Sequence, residues 1–385
     1  MTDNRRNDFQ LITGGGGYAG FNLGKKLSQQ GYTVILFDIK EPLWSMLEGM
    51  VFHKGNITNL DELETAFKGV SCVYHLASYG MSGNEMFNKK LIEAVNISGT
   101  QNVIQACLTQ NVCRLVYTST NNVVFGTEEI INGDESLPYL PVSKFLDNYS
   151  KTKCLAEQKV LAANNLNTAN GHKLYTCSLR LPGIYGPGEQ RHLPRVMSYI
   201  ERGLYVVTYG EETLQDFLHV DNLVQAHIKA GDALRPERSS VAAGQTYFIS
   251  DGKPVNSVQF FNTLASELGY PEAKFRLPVK LVYFVAIVIE LVYFLVSSLY
   301  NFQPLLTRTE VCKTGITHYF CITKARKDLG YCPTVQNDLT GVVKHFKMAG
   351  HMHQVKQTSL MYYLVNIIIA IIIASILLSF LPIAR

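Results

Sequence analysis

Residues 9–20 read FQLITGGGGYAG: an apolar run from Phe9 to Thr13, four consecutive glycines, and the start of a helix-like stretch. Gly14, Gly17 and Gly20 fall at GxxGxxG spacing. Without a Cβ the backbone can turn tightly there and approach a pyrophosphate, whose charge is met by the amino end of the following helix. A bare glycine pattern also suits a tight loop that binds nothing. The next strand-like run, VILFD, ends in Asp38, 24 residues after Gly14. A carboxylate at that place accepts hydrogen bonds from adenosine ribose hydroxyls and repels a 2′-phosphate, so the pair predicts NAD rather than NADP. The plain alternative for such an acid is a helix cap.

Outward from this unit, short β-branched or aromatic runs recur at Phe9–Thr13, Thr33–Phe37, Cys72–Leu76, Arg114–Thr118 and Tyr175–Leu179. Helical patterns separate them at Leu60–Phe67, Lys90–Leu108 and Asp147–Ala163. Each return to a parallel strand needs a crossover helix, so the alternation predicts an α/β fold, a Rossmann-type doubly wound parallel sheet over residues 8–185. From about Gly183 the periodicity loosens around Gly186-Pro187-Gly188 and Asp251-Gly252, as in a smaller C-terminal substrate lobe, placed at 186–345.

Composition narrows the partners. Hydrophobic residues make up 47% of the chain and charged ones 17%, an apolar balance that points to membrane contact. The net charge of +4 has no dense Lys/Arg run, which argues against nucleic acid. Eight scattered cysteines form no CxxC pair and no metal-ligand spacing, so no metal is expected. The polar start, MTDNRRNDFQ, lacks the apolar core of a secretory signal, so the main body is expected in the reducing cytosol.

Residues 360–383 run without a charge, and as a helix would reach about 36 Å, enough to cross the roughly 30 Å hydrocarbon layer. They are expected to form a transmembrane anchor behind a linker at 346–359; the other reading is a buried core helix. Residues 279–300 are similarly apolar but carry Lys280 and Glu290, so a dip into the membrane and a full crossing both stand open. Lys344, Lys347 and Lys356 precede the anchor and only Arg385 follows it, which favours a cytosolic body, with the endoplasmic reticulum as the expected membrane.

The chemistry-bearing residues lie mid-chain. Tyr149 and Lys153 stand four apart, on neighbouring turns of one helix face. A free phenol titrates near 10, and a nearby ammonium stabilises the phenolate and lowers that value. About thirty residues upstream, Thr118-Ser119-Thr120 ends a strand with three hydroxyls, at the end where ligands bind in such sheets. Taken alone, a YxxxK match is more often an ordinary helix surface.

The set TGGGGYAG, Asp38, HLAS, YTST and YSKTK resembles the extended short-chain dehydrogenase/reductase superfamily. The segments RLPGIYGPGEQRHLPR, DFLHVDNLVQAH, YFISDGKPV and NFQPLLTRTEVCKTGITHYF resemble its 3β-hydroxysteroid dehydrogenase branch, most closely family 42E, over about residues 8–345. The resemblance implies that Tyr149 is the proton donor and acceptor, Lys153 the lysine that binds the nicotinamide ribose, and Thr120 the hydroxyl that holds the substrate oxygen, with Ser119 the alternative. It further implies cofactor contacts from Gly14, Gly17, Gly20, Asp38, Asn56, Ile57 and Ala77. Two positions depart from the family pattern: Asn56 replaces an Asp, and Leu179-Arg180-Leu181-Pro182 displaces a proline by one. The implied activity is NAD-dependent interconversion of a hydroxyl and a ketone on a steroid or sterol, with a Δ5/Δ4 isomerase step as an option. The implied partners are that lipid, the bilayer and a second copy in a homodimer. Two rivals stand beside it: a sugar-nucleotide epimerase or dehydratase using Arg191, Arg195 or Arg276 for a pyrophosphate, and a non-catalytic NAD-binding membrane scaffold.

Overall fold

The computed structural model describes residues 8–353 apart from 82, 206, 211–212, 298–303 and 305. The expected anchor at 360–383, and residues 354–359 of the expected linker, lie outside the described residues.

Seven parallel strands form the main sheet: β1 (Phe9–Thr13), β2 (Thr33–Asp38), β3 (Met50–Lys54), β4 (Val70–His75), β5 (Arg114–Thr120), β6 (Lys173–Leu181) and β7 (Thr246–Phe248). Their order is β7-β6-β5-β4-β1-β2-β3, and Leu166–Asn167 adds a short antiparallel pairing to β6. The order reverses direction between β1 and β4, and a crevice at such a reversal is where open α/β sheets bind ligands.

Both faces of the sheet are covered, which is why its inner strands are almost continuously apolar. On one face α1 (Tyr18–Gln29) packs Phe21, Leu23 and Leu27 against Ile12, Val34 and Leu36. On the other, α2 (Thr100–Thr109) and α3 (Asn148–Ala162) pack Val103, Ala106, Ala156 and Val160 against Leu11, Leu115 and Tyr117. Leu11 and Ile12 are neighbours on opposite faces, both fully buried. Truncating either to Ala would cost about 2–5 kcal/mol.

The substrate lobe is interleaved with this core. β7 comes from residues 246–248 and joins β6, while α4 (Val220–Ala233) covers the α1 face with Leu223, Val224 and Ala230. A boundary at residue 185 therefore divides the sequence but not the sheet. The lobe's own core gathers Leu193, Met197 and Ile200 with Phe260, Leu264, Val342 and Phe346. Phe346 belongs to a helix spanning Thr340–Met348, so ordered structure continues past the start of the expected linker.

Residues 279–300 become helix α5 (Val279–Val296), long and apolar enough to cross a membrane yet with only a sixth of its length buried. It lies against α6 (Arg308–Gly315) through Val282, Ala286 and Val311. None of the eight cysteines forms a disulfide.

Candidate active site

The glycine turn joins β1 to α1 at the reversal of strand order. Gly14 has φ +74°, donates its N–H to the Phe37 carbonyl (2.9 Å), and has no room for a Cβ, which would lie 2.7 Å from the Ala77 nitrogen. A Cβ on Gly20 would lie 2.3 Å from the Gly14 carbonyl oxygen, so α1 can approach the turn only with glycine there. Gly17 differs. A Cβ on it would meet only the Gly14 oxygen, at 3.4 Å, an ordinary contact. The protein leaves the space over Gly17 open. Gly17 is also the N-cap of α1, with no capping side chain and no acid in the first turn, so the first N–H groups of α1 face that space unanswered. A pyrophosphate fits this cradle in shape and charge.

Asp38 ends β2 beside the turn. Its carboxylate accepts N–H groups from Gly16 (3.0 Å) and Lys40 (3.2 Å), and no helix starts behind it, so it braces the glycine loop rather than capping a helix. Asn56 follows β3 and is exposed; its Oδ1 accepts from the Thr58 N–H (3.0 Å), which turns the chain. Ile57 is buried and packs where a Gly99 Cβ would stand. Ala77 lies half-buried next to Gly14.

The catalytic candidates come from α3 and the end of β5. Asp147 caps α3 by accepting the Ser150 N–H (2.6 Å), which fixes where the helix starts and so where Tyr149 emerges. Tyr149 is 7% and Lys153 2% exposed, both buried against the sheet. Lys153 reaches the carboxyl end of β5. Its Nζ donates to the Thr118 carbonyl (2.5 Å) and lies 4.1 Å from the centre of the Tyr117 ring. Burial pulls its pKa down to about 7. The Tyr149 phenol is likewise pushed up to about 12 by burial, against which a hydrogen bond with the Ser78 side chain and the Arg191 charge act in the lowering direction. Desolvation therefore outweighs the stabilising groups around the phenol, contrary to the expectation of an acidified tyrosine.

The three hydroxyls of β5 separate by environment. Thr118 Oγ1 pairs with His227 Nε2 on α4 (2.8 Å). Ser119 Oγ is buried without a hydrogen-bond partner. Thr120 Oγ1 accepts the Asn122 N–H (3.3 Å) and so caps the turn at residues 121–123.

Three participants were not singled out from the sequence. Ser78 stands within HLAS, but only tertiary contact brings it to Tyr149. Asn96 lies in a π-helical turn, Ala94–Gly99, and clamps the strand-to-helix loop: it accepts the Tyr79 N–H (2.9 Å) and donates to the Tyr79 carbonyl (2.9 Å) and to Thr152 Oγ1 on α3 (3.0 Å). Such turns recur at functional sites, and an interruption within the Lys90–Leu108 pattern was the available signal. His75, fully buried, bridges Thr13 (2.6 Å) and Thr100 (2.9 Å), and burial lowers its pKa to about 3, so it is neutral.

Residues 11–279, more than half the chain, match the 3-beta hydroxysteroid dehydrogenase/isomerase family. The chain belongs to that family. A relative named short-chain dehydrogenase/reductase family 42E member 1, from Danio rerio, is 51% identical over 385 residues, all of this chain and 99% of its own length. Mouse sterol-4-alpha-carboxylate 3-dehydrogenase, decarboxylating, is 34% identical over 85% of this chain and 87% of its own. The fold is shared with Thermus thermophilus UDP-glucose 4-epimerase, solved in complex with NAD, at TM-score 0.66 and 20% identity over 89% of this chain and 99% of that one. The 3-beta hydroxysteroid dehydrogenase/isomerase match begins inside β1 and ends at the start of α5, so it takes in the glycine turn, Asp38, Thr120, Tyr149 and Lys153.

Proposed function

We propose that this chain is an NAD-dependent oxidoreductase that interconverts a hydroxyl and a ketone on a steroid or sterol. The observation that carries the proposal is a buried phenol, Tyr149, beside the Ser78 side chain, on a helix packed beside the sheet end where the turn over Gly17 lies open to a dinucleotide. The family's dehydrogenases and the sterol named for the mouse relative support the substrate class.

NAD, when bound, supplies the hydride acceptor. The protein's part is position and proton transfer. Gly14, Gly17 and the head of α1 receive the pyrophosphate; Asp38 takes the adenosine ribose and disfavours a 2′-phosphate; Asn56, Ile57 and Ala77 line the dinucleotide's flank. Lys153, with donors left beyond its bond to Thr118, holds the nicotinamide ribose. Thr120 orients the substrate oxygen, with Ser119, whose hydroxyl has no partner, as the alternative. Tyr149 exchanges the proton with that oxygen: as phenol it donates in reduction, and as phenolate it accepts in oxidation. Ser78 and Arg191 stabilise the phenolate. The body faces the cytosol on the endoplasmic reticulum membrane, tethered by residues 360–383, and reaches substrate dissolved in the bilayer.

Membranes carrying the full chain, given NAD and a panel of steroids and sterols, should form reduced cofactor. Tyr149→Phe should cut turnover by about 10²–10⁴-fold with NAD affinity retained. Full turnover in that variant would sink the scheme. The sugar-nucleotide reading loses one of its cations: Arg195 is committed to Glu310 (2.5 Å) and Tyr199 (2.7 Å).

A further inference from the structure

Helix α5 has two unlike faces. The inner one presents Val282, Ala286, Glu290 and Tyr293, all buried, along three turns. Val282 and Ala286 pack with Val311, and Tyr293 lies 4.3 Å from Phe87, centre to centre. Glu290 accepts both the backbone N–H of Arg308 (2.8 Å) and its Nε (2.7 Å). The one carboxylate of the helix is thus turned into the body and neutralised. The outer face carries Leu281, Phe284, Val288, Leu291, Val292 and Leu295, 43% to 77% exposed, at intervals of three and four that make one continuous stripe. An apolar stripe of this length on an exposed helix marks an interaction surface.

We propose that α5 lies flat on the bilayer, its outer stripe sunk into the apolar layer of a single leaflet, and does not cross it. The inner face decides against crossing. A crossing helix would draw its packing partners, from α6 to Phe87, into hydrocarbon along the whole stretch from Val282 to Tyr293, with their polar backbone and the Glu290–Arg308 pair. The flanks fit the surface mode: Lys274, Arg276 and Lys280, all exposed, precede the stripe, where cations meet lipid headgroups. A second copy of the chain is the less suitable occupant, because the chain also carries 24 uncharged residues at 360–383 that suit hydrocarbon.

The same contacts lead toward the chemistry. Phe87 ends the short helix Gly83–Phe87, whose Glu85 lies 3.7 Å from Arg191, the residue whose charge acts on Tyr149. The membrane face of α5 is thus joined through Phe87 to the segment that carries Glu85, on the side of the body from which Arg191 acts on the phenol. This inference rests on the lipid-substrate reading above for its purpose, but its test needs no turnover.

The full chain is reconstituted in phosphatidylcholine vesicles containing lipids brominated at a shallow or a deep acyl position. A tryptophan is introduced as Leu281→Trp, Val288→Trp or Leu295→Trp, and the signal of Trp44, the single native tryptophan, is subtracted. The flat orientation predicts similar quenching depth at all three positions. Val288→Trp quenched best from the deep position, with the other two quenched best from the shallow one, would show a crossing helix and overturn the proposal. Quenching at none of the three would leave the stripe in water or under protein, which also overturns it. As a second readout, Val288→Glu with Leu291→Glu should raise KM for a vesicle-borne steroid at least tenfold while NAD binding holds. Uniform depth without turnover on any steroid would defeat the substrate assignment and leave the membrane geometry standing.

Discussion

Helix α3 treats buried charge in two opposite ways within one turn. At its third turn Glu157, fully buried, accepts Arg180 Nη2 (2.7 Å) and Nε (2.9 Å), Ser178 Oγ (3.0 Å) and the Tyr139 hydroxyl (2.8 Å). Arg180 is flanked by the Tyr139 and Phe248 rings, each 5.2 Å away. One turn earlier Lys153 is as deeply buried, also over an aromatic ring, but its only hydrogen bond among the described residues is to the Thr118 carbonyl, and the Glu157 carboxylate acts on it through its charge without a direct ion pair. Desolvation is severe for both cations. Arg180 keeps its charge because an anion and two further donors complete the site, whereas Lys153 is drawn toward neutrality. A lone buried amine is poor structural engineering. Its retention makes sense when the missing partner is a ligand, and the contrast marks the head of α3 as the working end and its middle as the scaffold.

Four measurements would break or sharpen that contrast. The largest effect should come from Lys153→Met, which should lower turnover by about 10²–10⁴-fold yet leave the thermal midpoint unchanged or raised, because an unpaired buried amine is removed. A marked loss of stability would place Lys153 with the scaffold. Glu157→Gln should do the reverse, costing about 3–5 kcal/mol by stranding Arg180, while the folded fraction still binds NAD. Stable protein after that change would mean that the pair is dispensable.

The pH dependence of stability should separate the two cations next. An unfolded lysine titrates near 10.4 and Lys153 in the fold at about 7, so between those values the unfolded chain binds more protons. Stability should therefore rise with pH across that window, and the rise should shrink in Lys153→Met when denaturant midpoints are compared. The smallest effect belongs to Arg191→Gln. Tyr149 is already raised to about 12, so alcohol oxidation, which needs phenolate, should climb with pH in the native protein. Losing a half-exposed cation should move that climb to more alkaline pH by a few tenths of a unit, since solvent screens the charge. An unmoved profile would remove Arg191 from the site.

Much of the fold was legible because the signals were local. β1, β2, β4, β5 and β6 all fall on the apolar runs read from the sequence, and α3 starts one residue after its Asp cap. The strands that escaped notice have physical reasons. β3 is an edge strand with Val51 and Lys54 exposed and a half-buried His53, so its pattern is not apolar, and β7 has three residues, too few for any period. β7 also shows why the lobe boundary blurred: a sheet can recruit a strand from far along the chain, which periodicity does not record. In the site, glycine spacing and the Tyr149–Lys153 interval were visible, while Ser78 and Asn96 were not, since polar residues are common and only contact gives these two a task.

The sequence by itself determined the sheet, the glycine turn, the acid behind it and the face shared by Tyr149 and Lys153, because each depends on residue type at short, fixed intervals. Only the tertiary structure decided where the charges act. Burial is a property of the whole packed body, and it turns Glu290 inward, draws Lys153 toward neutrality and holds Tyr149 protonated, none of which spacing along a chain can express.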